Sequence, residues 1–364
     1  MNLALAGFGT AVPEHALTQE EAVELHTSFC RIDGSRSRTL RALYRRSGVA
    51  RRHSVLLSAP DAPLAERQSF YPPAGCEQDP GPATARRMER YEAEAPHLAA
   101  AASLRALRSA GVCPGEVTHV VTVSCTGFFA PGLDAAVIEA LGMSRATERT
   151  HVGFMGCHGA LNGLRVAGSF VDADAAAVVL VCSVELCTLH FAYGWDPEML
   201  VANALFADGA AAVVGRAPRP HDRAAWRVRA VGTHLMPESA NEMSWRIGDH
   251  GFRMTLSARV PELIETHVGD WLRAWLSDQG LALEDIASWA VHPGGPRILS
   301  AVERSVGRPS DVNAVAREVL SEFGNMSSAT ILFILQRLSE RHAPRPCLAL
   351  AFGPGLVVEA ALMV

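Results

Sequence analysis

The sequence predicts an α/β fold with largely parallel sheets. Two patterns predict it. Short β-rich apolar runs alternate with longer helical stretches, and the alternation starts afresh past the middle of the chain. From the N-terminus, residues 3–7 read as a strand and a helix starts from Thr18. Residues 58–82 are Pro-rich and polar and close on Asp79-Pro80-Gly81-Pro82, which marks a loop or excursion. Residues 84–110 are Ala-rich and helical, with a kink or break expected at Pro96, whose ring removes an N–H and crowds the preceding turn. Residues 118–124 are a buried strand and 133–141 a helix. The segment before Cys157 is strand-like, and 159–172 is helical. Residues 177–184 and 210–214 are further buried strands.

The Arg-Ala-Pro-Arg-Pro-His-Asp-Arg stretch at 216–223 is the expected boundary between an N-terminal half, 1–216, and a C-terminal half, 224–364. After it the pattern restarts with a strand at 228–234, a helix at 261–279 and a strand at 288–292. Helices at 312–323 and 327–342 and strands at 346–352 and 356–362 complete it. The shared rhythm points to a duplication, although no residue-level repeat is visible.

Composition narrows the function. The chain has 364 residues, 49% hydrophobic and 20% charged, as expected of a globular enzyme and not of a disordered chain. The formal net charge of −5 leaves no basic excess to neutralise phosphates, which argues against nucleic acid as a partner. All 33 basic residues are Arg, so Schiff-base chemistry and a phosphate-loop lysine are excluded, and a GC-rich bacterial source is favoured. Eight Cys are scattered without a CxxC pair, which leaves zinc without ligand spacing. No signal-like N-terminus and no run of about 18 apolar residues is present, so a reduced, cytoplasmic protein without a membrane span is expected.

Three residues carry the chemistry. Cys157 lies in Gly153-Phe154-Met155-Gly156-Cys157-His158-Gly159, His292 in His292-Pro293-Gly294-Gly295-Pro296, and Asn325 in Gly324-Asn325-Met326-Ser327-Ser328. A thiol at a Gly-flanked strand-to-helix turn can sit at a helix N-terminus, where unpaired N–H groups and the dipole favour a thiolate. An imidazole and a carboxamide add a base and hydrogen-bond donors for an oxyanion, so acyl transfer on a cysteine is expected. A papain-like protease fits poorly, because Cys157 is mid-chain and no Trp follows it.

At this point the chain resembles the type III polyketide synthases, the chalcone/stilbene synthase-like enzymes, over nearly its full length. Leu205-Phe206-Ala207-Asp208-Gly209-Ala210-Ala211-Ala212, the Gly324–Ser328 stretch, the His292 motif and Phe352-Gly353-Pro354-Gly355-Leu356 carry the resemblance. Ketoacyl synthases that prime fatty-acid synthesis show His-Gln-Ala-Asn and Gly-Gly-Gly at the corresponding places and match less well. The resemblance implies a thiolase-like fold with a duplicated α/β/α/β/α layering, and a homodimer. It implies a starter acyl group held on Cys157, and His292 with Asn325 polarising malonyl-CoA during decarboxylation. Coenzyme A thioesters are substrates, and no metal or other cofactor is implied. A non-catalytic binding protein on this fold is disfavoured by the presence of all three residues.

The resemblance also assigns pocket residues. Phe191 is the expected first aromatic gatekeeper, and Met254 takes the place of the second, a Phe in plant members. Cys125, Thr126 and Ser327 are expected to line the cavity, and Trp245 to shape it. Ala130 stands where plant enzymes place a Met that reaches into the partner's pocket. Coenzyme A phosphates are expected on the cluster Arg45, Arg46, Arg51 and Arg52, chiefly on Arg51 and Arg52. Met254 and Ala130 point to a wide pocket. They favour an alkylresorcinol or alkylpyrone made from a medium or long fatty acyl-CoA, with a malonyl-primed tetrahydroxynaphthalene or a small aromatic product as the alternative.

Overall fold

A computed structural model describes residues 1–58, 62–219, 226–308 and 310–364. The strands are β1 (Leu3–Ala11), β2 (Ala16–Thr18), β3 (Arg51–His53), β4 (His119–Ser124), β5 (Glu148–Gly153), β6 (Val178–Leu186), β7 (Asp208–Arg216), β8 (Trp226–Leu235), β9 (Met243–Gly248), β10 (Gly251–Leu256), β11 (Ser288–Val291), β12 (Cys347–Gly353) and β13 (Val357–Met363). The helices are α1 (Gln19–Phe29), α2 (Gly34–Arg46), α3 (Thr84–Ala110), α4 (Leu133–Leu141), α5 (Gly159–Ala173), α6 (Pro197–Leu205), α7 (Val260–Asp278), α8 (Pro296–Val306), α9 (Ala314–Phe323) and α10 (Thr330–Glu340). The expected boundary at 216–223 lies partly outside the described residues; β7 ends at Arg216 and β8 begins at Trp226.

Nine strands hydrogen-bond in the order β11-β12-β13-β8-β1-β7-β6-β4-β5. Only β4–β5, β4–β6 and β11–β12 are parallel, which corrects the expectation of largely parallel sheets. One cause is local. β13 returns beside β12 through the short turn at 354–356, and so short a connection permits only an antiparallel pair.

The duplication is topological. β1, β7, β6 and β4 are joined antiparallel, antiparallel, parallel, and β8, β13, β12 and β11 repeat that pattern. The two halves meet where β1 pairs with β8. α5 and α10 occupy corresponding places, each packing on strands of both halves, and form the middle layer. α3 covers the outer face of the first half. On the second half, Trp271 stacks on His234 of β8 and Trp275 packs on Gly232. The layers therefore run helix, sheet, helix, sheet, helix. Alternate residues of β6 serve both sides: Val178, Leu180 and Val184 face the α3 core, and Val179 and Val181 the middle one. Burial on both faces is why this strand reads as a mostly apolar run.

α3 runs through Pro96 without the expected break. Its stripe of Tyr91, Ala95, Ala99, Ala102 and Ala106 is fully buried. An interior proline costs about 3 kcal/mol; the fully buried Tyr91 and Leu107 each return roughly 1.5–3 kcal/mol and the alanine stripe adds to that, so packing carries the helix past the missing hydrogen bond. Among the described residues no helix is long and apolar enough to cross a membrane.

Candidate active site

The site forms where the parallel strands end. β4 runs into Cys125 and Thr126, β6 into Cys187, β11 into His292, and β12 ends at Gly353 before Pro354. Both central helices begin at this end. Cys157 lies in the one-turn helix Gly156–His158 that leads into α5, and Ser327 opens the corresponding turn Ser327–Ala329 that leads into α10. These two turns pack on each other, so Cys157 and the Asn325–Ser327 segment occupy equivalent positions in the two halves. The turn at Cys157 requires glycine before it: Gly156 has φ +73°, and a Cβ there would run into the ring of Pro354.

A chamber of about 420 Å³ opens onto Cys157. Cys125, Thr126, Trp245, Met254 and Ser327 all line it. Trp245 and Met254 face each other across the β9–β10 hairpin, and Trp245 Nε1 donates to the carbonyl of Cys125 at 2.7 Å. A second chamber of about 800 Å³ adjoins the first, and Cys187, Phe206 and Trp245 line both. Its walls are mostly apolar, with Leu17, Leu25, Phe29, Leu56 and Met199 among them.

Two expected positions are corrected. Phe191 does not stand between the chambers. It lines only the larger one, edge-on to His26 at 4.8 Å and tilted against Tyr71 at 5.4 Å. Phe206 is the aromatic at the junction, and its backbone bridges that of Asn325. Arg52 is buried, and its guanidinium donates to Gln19 Oε1 and to the carbonyls of Asn203, Ala204 and Phe206. It neutralises the C-terminal carbonyls of α6 and is not placed to meet a phosphate at the surface. Arg51, its neighbour on β3, is exposed, as is Ala130.

The sequence reading missed Glu185 of β6. Its carboxyl is fully buried and accepts from Cys125 N at 3.0 Å, Thr126 Oγ1 at 2.7 Å, Cys125 Sγ at 3.2 Å and Ser328 Oγ. Burial raises its pKa, and these donors hold the rise in check. The signal was available: it is the one charged residue inside the apolar run Val178–Leu186.

Burial pushes the Cys157 thiol up to about 12; Ser327 lowers it and the Glu185 charge raises it further. His292, at the end of β11, is almost fully buried, and neither ring nitrogen has a partner. Burial brings its pKa down to about 3, with a further push from neighbouring His158. Asn325 is buried too, and its Oδ1 accepts from Ser327 N at 2.8 Å, which leaves the amide Nδ2 as its remaining donor group. His292 and Asn325 are not part of the 420 Å³ chamber's wall, which Ser327 and Cys157 share.

Comparison with known proteins fits this geometry. The family model for the N-terminal domain of chalcone and stilbene synthases matches residues 2–218, and that for the C-terminal domain matches residues 228–364. The chain belongs to the chalcone and stilbene synthase family. It is a type III polyketide synthase, an enzyme of the acyltransferase class. A 1,3,6,8-tetrahydroxynaphthalene synthase from Streptomyces peucetius subsp. caesius is 35% identical over 99% of this chain and 92% of its own length. The α-pyrone synthesis polyketide synthase-like Pks18 of Mycobacterium tuberculosis is 31% identical over 98% of this chain and 90% of its own. Among solved structures, PKS-I from the brown alga Ectocarpus siliculosus superposes with a TM-score of 0.92 at 29% identity, covering 100% of this synthase and 98% of that chain.

Proposed function

We propose that this synthase loads a medium or long acyl starter from coenzyme A onto Cys157, extends it with malonyl-CoA and cyclises the chain to an alkylresorcinol or alkylpyrone. The observation that carries the starter class is the larger apolar chamber beside the thiol, joined to it at Phe206 and Trp245. An alkyl tail drawn into it gains about 0.8 kcal/mol for each methylene buried, while the polyketone grows in the smaller chamber. Phe206 then acts as the gate between them.

In the proposed cycle Cys157 passes its proton to His292 and attacks the starter thioester, and coenzyme A leaves with that proton. His292 and Asn325 Nδ2 then donate to the thioester oxygen of malonyl-CoA. Carbon dioxide leaves, negative charge collects on that oxygen, and the enolate carbon attacks the Cys157 thioester and releases the thiolate. Donors held ready for a charge that appears only during the step are what such a reaction needs. The two unpartnered nitrogens of buried His292 support this role, because buried polar atoms are rarely left without partners.

Coenzyme A is held, in this reading, by arginines around the loop that follows His292. The Ser47–Gly48 turn packs on Pro296, where a Cβ on Gly48 would lie 2.9 Å from Pro296 Cγ. Exposed Arg46 and exposed Arg297 each lie within two residues of that contact in sequence, and Arg51 on β3 is exposed as well. Arg297→Glu is expected to raise the KM for malonyl-CoA about tenfold with kcat unchanged, the loss of one charge-assisted phosphate contact worth roughly 1.5–3 kcal/mol. Steady-state kinetics checks this.

A homodimer is part of the proposal. β5 is an edge strand whose residues are largely exposed, and Phe128 and Phe154 beside it are 51% and 37% exposed. An open edge flanked by exposed aromatics favours pairing with a second copy.

A second reading, malonyl priming towards a tetrahydroxynaphthalene, is favoured by the name of the Streptomyces relative. Product analysis with malonyl-CoA alone and with acetyl-, benzoyl-, octanoyl- and palmitoyl-CoA separates the two. Products are expected only with the long aliphatic starters, and product from malonyl-CoA alone would establish the second reading instead. In the same assay Met254→Phe is expected to shift acceptance towards shorter starters; an unchanged profile removes Met254 from the pocket's selectivity.

A further inference from the structure

The residue next to the nucleophile, His158, is held by a chain of hydrogen bonds that the catalytic cycle does not use. Its ring is almost fully buried. His158 Nδ1 lies 2.8 Å from Asn162 Oδ1, one turn along α5. Asn162 Nδ2 donates to Glu359 Oε1 at 3.0 Å. Glu359 is buried on β13 and accepts in addition from Thr233 Oγ1 at 2.8 Å and from Arg165. The chain fixes the proton. Glu359 accepts, so the amide nitrogen of Asn162 faces it and the amide oxygen faces His158, and His158 Nδ1 must carry the hydrogen. Nε2 is left as a bare lone pair.

The other edge of the ring is fixed by packing. It lies on Gly353 so closely that any Cβ there would collide with Cδ2 and Nε2. Gly353 lines the thiol chamber with Cys157. The ring is therefore wedged between the nucleophile's turn and the end of β12, and it is tied through α5 to a carboxylate on a strand of the other half. The groups facing the ring are Asn162 and Arg165 from α5, Glu359 from β13 and His292 from the end of β11. Burial lowers the pKa of His158, so the ring stays neutral beside His292.

We infer that His158 is a positioning residue: fixed by Asn162 and Glu359 and wedged against Gly353, it sets where the Cys157 thiol stands in its chamber. The inference rests on the reading of Cys157 as nucleophile. Its test compares His158→Phe with His158→Asn, whose amide nitrogen can replace Nδ1 as donor to Asn162. Three readouts are taken: melting temperature, kcat and KM for malonyl-CoA, and the pH dependence of Cys157 alkylation by iodoacetamide from pH 6 to 10. His158→Phe is expected to lower kcat at least tenfold with KM unchanged, and to turn a nearly flat alkylation profile into one that climbs with pH. His158→Asn is expected to recover most of kcat. If His158→Phe does not fold, Asn162→Leu cuts the same chain one residue further from the thiol and is expected to give the same loss of kcat. Wild-type kcat and a flat profile in folded His158→Phe or Asn162→Leu overturn the inference, as does His158→Asn with no more activity than His158→Phe. Product from Cys157→Ala would overturn the nucleophile reading and this inference with it.

Discussion

Cys157→Ala is expected to abolish polyketide formation, with a loss of roughly 10³–10⁶-fold, the range seen when an enzyme's nucleophile is removed. The reason is that the acyl group has no other place to be held. Among the residues lining the thiol chamber, Cys125 and Cys187 are also thiols, but both are fully enclosed and burial raises both pKa values well above the ordinary range. Cys125 is further engaged with Glu185 and Ser327. Neither stands before a central helix as Cys157 does, and the positive end of α5 favours a thiolate there. The variant is expected to fold normally, since one sulfur is lost from a partly buried position at a chamber wall. It is also expected to keep releasing carbon dioxide from malonyl-CoA, because His292 and Asn325 are untouched. Radiolabelled malonyl-CoA measures both outcomes: label in carbon dioxide without label in polyketide supports the division of labour, and normal product removes Cys157 from the mechanism.

How much of this could be read from the chain depended on what each residue faces. β6, β7 and β12 were legible because both faces are buried, so each contains a mostly apolar run. That Cys157, His292 and Asn325 lie at element ends was legible because each sits near glycines in the sequence. The β9–β10 hairpin was not. Its outer positions, Arg246, Ile247 and Arg253, are exposed, and few of its residues enter a core, so no period emerges. Yet this hairpin brings Trp245 and Met254 to the thiol. Phe191 and Phe206 could not be told apart by residue type, because only the fold decides which ring reaches the junction. The arginine run was misread for a different reason. β3 pairs with β2, and strand alternation sends Arg51 outward and Arg52 inward. The three residues Arg51–His53 are too few to show that alternation.

His292→Ala and Asn325→Ala are expected to fail at different steps, and the electrostatics of the site says why. Taken singly, neither member of the proposed Cys157–His292 pair is charged near neutral pH. The thiol is pushed up to about 12 and remains protonated below that, while the imidazole is pulled down to about 3 and remains neutral above it. Burial opposes each charge alone. A proton passed from thiol to imidazole creates both charges together, and their attraction then offsets the burial cost of each. With that acceptor present, alkylation of Cys157 is expected to vary little between pH 6 and 8. His292→Ala removes it, so the thiol titrates alone; alkylation becomes slow at pH 7 and climbs about tenfold per pH unit up to pH 10. Condensation falls roughly 10²–10⁴-fold, the usual worth of a general base. Asn325 carries no charge in any step, so Asn325→Ala is expected to keep the wild-type alkylation profile. It loses malonyl-CoA decarboxylation by roughly 10²–10³-fold, as when one donor to a developing oxyanion is deleted. A flat alkylation profile in His292→Ala would mean that something other than His292 ionises Cys157, and wild-type decarboxylation in Asn325→Ala would leave His292 to stabilise the enolate alone.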